Sequence, residues 1–138
     1  MRVLHGSCLC GGVKYEIVGP LFRPRNCHCS MCRKAQGGAF RSRAGVKTSD
    51  FKWLQGEELM THYESSPGFE RGFCRVCGAP IITGSPAHPE HGYGLALGTL
   101  DEDPGLRPER HVFVANKAPW FEITDDLPQH ERWPPPVE

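Results

Sequence analysis

Apolar and polar residues alternate with a period of two over Val13, Lys14, Tyr15, Glu16 and Ile17, the pattern of a strand with one buried face. Similar short runs occur at Phe40 to Ala44, Phe51 to Leu54, Leu59 to Tyr63, Phe69 to Phe73, Pro80 to Thr83, Tyr93 to Leu97, His111 to Val114 and Trp120 to Ile123. Gly, Pro, Asp or Ser separates most of them, as turns require. One segment departs from this rhythm. After Ser30, a good helix N-cap, MCRKAQ holds helix-forming residues until Gly37 and Gly38 stop the run. The pattern predicts an all-β domain of short antiparallel strands with one short helix. No internal repeat or boundary divides residues 1–138, so one domain is expected, ending in a proline-rich arm over 128–138.

Composition narrows the function classes. The 138 residues carry 16 Lys plus Arg against 16 Asp plus Glu, so the formal net charge is zero. Without a long basic run, the electrostatic footprint of a nucleic-acid binder is missing and no such partner is expected. No apolar stretch approaches the roughly 20 residues that cross a bilayer, and MRVLHGSCLC lacks the apolar core of a secretory signal. A cytoplasmic protein with no membrane partner is the expectation.

The seven cysteines fall into three groups: Cys8 and Cys10; Cys27, Cys29 and Cys32; Cys74 and Cys77. A reducing compartment disfavours disulfides and an odd count leaves one thiol over, so metal binding is the better reading. On an extended segment, C-x-C places both sulfurs on one face. C-x-x-C followed by Gly78 works differently, because glycine at positive φ lets the backbone wrap around an ion. Together Cys8, Cys10, Cys74 and Cys77 supply four thiolates from segments about 65 residues apart, a closed structural site. The remaining triplet has the ligand number of a catalytic zinc, with a fourth position open to water or substrate. Two alternatives stay open at this level: the triplet joins a second closed site, or His28 completes its shell. The predicted helix beside Cys29, followed by Arg33 and Lys34, favours thiolates and an anionic ligand at the open position.

Other residues read more plainly. His88 and His91 form an H-x-x-H between Pro86 and Pro89, which reads as surface histidines on an irregular loop. Trp53, Trp120 and Trp133 read as packing residues, with Trp120 and Phe121 as candidates for a pocket wall.

The segments GSCLCGGVKYE, NCHCSMCRKAQGGAF, RGFCRVCGAPI, GTLDEDP and NKAPWFEI, in this order from Gly6 to Leu127, resemble the glutathione-dependent formaldehyde-activating enzyme family, also called the centromere-protein-V-like domain family. The resemblance implies a zinc-containing β-tent (Mss4-like) fold and two zinc ions per chain. Cys8, Cys10, Cys74 and Cys77 would hold the structural ion, and Cys27, Cys29 and Cys32 the catalytic one. It also implies a carbon-sulfur lyase-type reaction, condensation of glutathione with formaldehyde or another small aldehyde. A thiolate-rich site suits a sulfur ligand better than water. On this reading the glutathione carboxylates meet the helix amino terminus and Arg33 or Lys34, and solvent or His28 protonates the product oxygen. A homo-oligomer is compatible with the sequence. The alternative from another class is a non-enzymatic zinc-binding interaction module. A redox thiol protein fits less well, since its cysteines would have to be free of metal.

Overall fold

The structure is a computed structural model that describes residues 2–134. Ten strands form two sheets. The smaller has the order β1 (Val3–Ser7), β2 (Lys14–Val18), β5 (Phe51–Gln55), all antiparallel. The larger runs β10 (His111–Val112), β3 (Phe22–Cys27), β4 (Arg41–Val46), β9 (Tyr93–Ala96), β8 (Pro80–Gly84), β7 (Phe69–Cys74), β6 (Met60–Ser66). Its pairings are antiparallel except β10 with β3. A single α-helix, α1 (Ser30–Gln36), follows β3, so the expected all-β class with one short helix holds among the described residues.

The alternation over residues 13–17 does what it predicts: Val13, Tyr15 and Ile17 are fully buried. They pack with Leu4, Val46, Ile81 and Leu95 from both sheets into the main core. Tyr15 lies opposite Gly6 across the β1–β2 ladder, and a Cβ at Gly6 would fall 2.1 Å from its ring, so only glycine fits there. The Tyr15 hydroxyl donates to Thr99 Oγ1 at 2.7 Å, and Thr99 donates on to the Ala96 carbonyl at 2.8 Å, which satisfies a phenol that burial would otherwise strand.

Three sequence expectations change. The strand at Trp120 to Ile123 does not form; Phe121 N–H turns back to the Ala118 carbonyl, and the Lys117 ammonium takes the Ala118 and Phe121 carbonyls that a ladder would use. Trp120 and Trp133 are exposed at 70% and 61%, so neither is a core residue, although Trp133 packs edge-on against Phe113 and Trp53 packs on the main core as expected. Residues 128–132 are tied to the sheet by β10, with His130 N–H donating to the His111 carbonyl and Phe113 N–H to the Arg132 carbonyl. Positions 135–138 of the expected arm lie outside the described residues.

Candidate functional site

The four-cysteine group forms where the two sheets meet. Cys8 and Cys10 sit on a turn after β1, not on an extended strand: Gly11 N–H donates to the Cys8 carbonyl at 3.1 Å and Gly11 takes φ 77°. Cys74 and Cys77 repeat the device, with Gly78 N–H on the Cys74 carbonyl at 2.7 Å and φ 79°. Glycine therefore serves both halves, which corrects the strand reading of the first pair. The four sulfurs lie within 4.8 Å of one another, with Cys8 to Cys10 at 3.5 Å and Cys10 to Cys74 at 3.9 Å. A tetrahedron with metal–sulfur bonds near 2.3 Å has edges of about 3.8 Å, so this donor set fits a zinc-like ion. Backbone N–H groups of Ala79 and Cys10 push the Cys77 thiol down to about 6, toward the thiolate that a metal needs.

The triplet is assembled differently. Cys27 ends β3, Cys29 is the N-cap of α1 with its sulfur accepting from Cys32 N–H at 3.3 Å, and Cys32 lies in the first helical turn. Cys29, not Ser30, is thus the cap, and the cap itself brings two candidate ligands together. Gly37 ends the helix in the left-handed conformation, as its place in the sequence predicts. The three sulfurs lie within 4.8 Å of one another and fit one face of a tetrahedral ion. Hydrogen bonds from Cys27 and Cys29, then the charges of Arg71 and Arg41, pull the Cys32 thiol far below its ordinary value, while Cys27, donating within the cluster, is pushed up.

A cavity of about 250 Å³ opens on the triplet. Strand geometry decides its walls. Arg25 and Cys27 are two apart on β3 and share a face, and their partners on β4, Arg43 and Arg41, extend it. Arg71 on β7 completes four guanidinium groups around the three sulfurs. Arg41 is 3% exposed and donates to the Gly94 carbonyl at 2.8 Å. Burial pushes the Arg41 and Arg43 guanidinium groups down to about 10 and about 9. Since guanidinium stays protonated, these are desolvated cations suited to an anion. Arg71 is held by Ser65 Oγ at 3.0 Å and aims both terminal nitrogens at Cys32 Sγ, at 3.7 and 3.8 Å. Met31, Phe69, Phe113 and Trp133 supply the apolar side of the cavity.

These arginines went unread in the sequence, although R-x-R occurs twice, at Arg23 and Arg25 and at Arg41 and Arg43, with the triplet between. Arg33 and Lys34, the expected carboxylate contacts, do not line the cavity; Arg33 instead donates to the Asn116 carbonyl at 3.2 Å and Lys34 is exposed. His28 is fully buried and joins neither the sulfur cluster nor the cavity wall. Asp125 accepts from His111 Nε2 at 3.0 Å, so His111 Nδ1 accepts from His28 Nε2–H at 2.8 Å. That relay, with the His28 ring tilted against Phe40 and Phe121, anchors the loop that carries the triplet. His88, Glu90 and His91 gather within 4.8 Å on the exposed loop, with His88 Nδ1 and Glu90 Oε1 3.0 Å apart. Among the described residues no helix is long and apolar enough to cross a membrane.

Residues 3–116 match the family profile described as glutathione-dependent formaldehyde-activating enzyme. A Halomonas elongata protein named "Putative glutathione-dependent formaldehyde-activating enzyme" is 36% identical over 129 residues, covering 88% of this chain and 81% of that protein. A crystal structure of a Rhodobacter sphaeroides protein aligns with TM-score 0.59 and 28% identity, covering 75% of this chain and 97% of that one.

Proposed function

Because the chain belongs to the glutathione-dependent formaldehyde-activating enzyme family, we propose that it joins a carboxylate-bearing thiol, glutathione or a relative, to formaldehyde or another small aldehyde at Cys27, Cys29 and Cys32, a carbon-sulfur lyase-type reaction. The observation that carries this reading is the convergence of three sulfurs and four guanidinium groups on one cavity. The closed group of Cys8, Cys10, Cys74 and Cys77 serves structure, fastening the turn after β1 to the turn between β7 and β8.

A zinc ion held by Cys27, Cys29 and Cys32 would supply a soft open position that accepts sulfur and lowers its affinity for a proton. The chain's own residues do the rest. Arg25, Arg41, Arg43 and Arg71 attract and orient the anionic thiol, and charge-assisted hydrogen bonds to its carboxylates fix the sulfur near the triplet. Arg71, donating to Cys32 Sγ, draws charge from the sulfur cluster and keeps Cys32 a ligand and not a nucleophile. Phe69, Phe113 and Trp133 thin the water around the reacting atoms. The thiolate sulfur attacks the aldehyde carbon, a C–S bond forms, and the carbonyl π pair moves to oxygen, where the facing guanidinium groups stabilise it until water gives it a proton. The product is a hydroxyalkyl thioether. Its cleavage to thiol and aldehyde is the same path reversed.

Exchange spectroscopy on 13C-formaldehyde and glutathione tests the reading. The zinc-loaded protein at micromolar concentration is expected to speed formation of the S-hydroxymethyl adduct above the buffer rate. A rate equal to buffer leaves the non-enzymatic zinc module as the better account.

A further inference from the structure

The arginine wall does not end at the cysteines. Arg25, Arg43 and Phe69 belong at once to the triplet cavity and to a second hollow of about 250 Å³. That hollow runs along β3 and β4 to the turn holding Gly84, Ser85 and Gly92, and Arg23 lies on its wall. Its floor is built from small residues. Gly45 pairs with Gly94 across β4 and β9, and a Cβ on Gly94 would come within 2.9 Å of the Arg43 guanidinium. The side chain of Arg43 can cross the sheet there only because position 94 has none.

Three guanidinium groups, those of Arg23, Arg25 and Arg43, therefore face one trough, and among the described residues none of them has a side-chain hydrogen bond or a carboxylate partner. The Nε atoms of Arg25 and Arg43 are buried with no partner among the described residues. Trp133 stacks on Arg25 at 5.0 Å and the Phe22 ring lies 5.5 Å from Arg23, so both cations are held in place by aromatic faces and not by anions. Grouping like charges in a half-closed trough is unfavourable unless an anion completes it.

We propose that this trough is a distal anion subsite that receives a carboxylate of the thiol remote from its sulfur, making Arg23, Arg25 and Arg43 specificity determinants for peptide-like thiols with anionic ends over small neutral thiols. The proposal rests on the thiol reading of the triplet. It adds a location: the ligand lies along β3 and β4, with sulfur at the Cys27 end and a carboxylate at the Gly84 end.

Calorimetry on the full zinc-loaded chain tests it with glutathione and with glutathione diethyl ester, which keeps the sulfur and blocks both carboxylates. The unaltered protein is expected to bind the free acid about 10- to 100-fold more tightly than the ester, the range for charge-assisted hydrogen bonds. Ser85→Glu places a carboxylate in the trough on a surface turn, removes no arginine and touches neither cysteine group. It is expected to weaken the free acid by at least about tenfold and the ester by less than about twofold. Arg43→Gln should show the same split. Equal affinities of the unaltered protein for acid and ester overturn the subsite together with the carboxylate contacts of the triplet arginines, and leave standing only the binding of a thiol sulfur at the triplet. Equal losses for both ligands in Ser85→Glu also overturn it. Binding of neither ligand removes the thiol reading, and the subsite falls with it.

Discussion

Replacing Cys8, Cys10, Cys74 or Cys77 by Ser is expected to cost the protein its fold. Cys8 and Cys74 are buried beneath Cys10 and Cys77, and the four sulfurs join turns that belong to different sheets. An ion shared by such distant segments stabilises the folded chain by most of its binding free energy, since the unfolded chain offers no preformed site. That contribution, on the order of 10 to 16 kcal/mol, matches or exceeds the roughly 5 to 15 kcal/mol net stability of a typical domain. Each single variant should therefore be insoluble or show no cooperative melt by circular dichroism. Soluble variants with an unchanged melting temperature would remove the structural role.

The triplet predicts the opposite outcome. Cys27, Cys29 and Cys32 lie within six residues on the end of β3 and the start of α1, so an ion there closes no long loop and restrains little of the unfolded chain. The loop has other anchors: His28 N–H donates to the Val112 carbonyl at 2.9 Å, and the His28, His111 and Asp125 relay holds it from below. Ser replacements at these three positions should leave a folded protein that melts within several degrees of the original. They should hold one zinc per chain by metal analysis in place of two, and form adduct at the uncatalysed rate. Unfolding of the triplet variants while the other four stay soluble and active would exchange the two roles.

Much of this architecture was open to reading in the sequence because local chemistry and final structure agree. Tyr15 and Ile17 alternate with Lys14 and Glu16 and are buried as that pattern requires, Gly37 stops the helix, and the cysteines divide four and three by spacing alone. β3 was missed because FRPRNC carries arginine where a strand usually carries an apolar residue, and because Pro24 sits at a register shift against β4. Arg25 and Arg43 face inward toward sulfur and an anion site, a reason that no hydropathy pattern encodes. The relay from His28 to His111 spans 83 positions and depends on β10 adding to β3 in parallel, which neither segment announces. Cys29 as a cap escaped notice because Ser30 beside it is the commoner choice.

Zinc X-ray absorption on protein loaded with two zinc equivalents, before and after glutathione, tests most directly whether the triplet takes the thiol sulfur. With one ion on four sulfurs and one on three plus a lighter atom, the mean sulfur count starts at about 3.5 per zinc. Saturating glutathione is expected to raise it to about 4, with S-methylglutathione leaving it unchanged. A count that stays at about 3.5 in saturating glutathione would contradict the account.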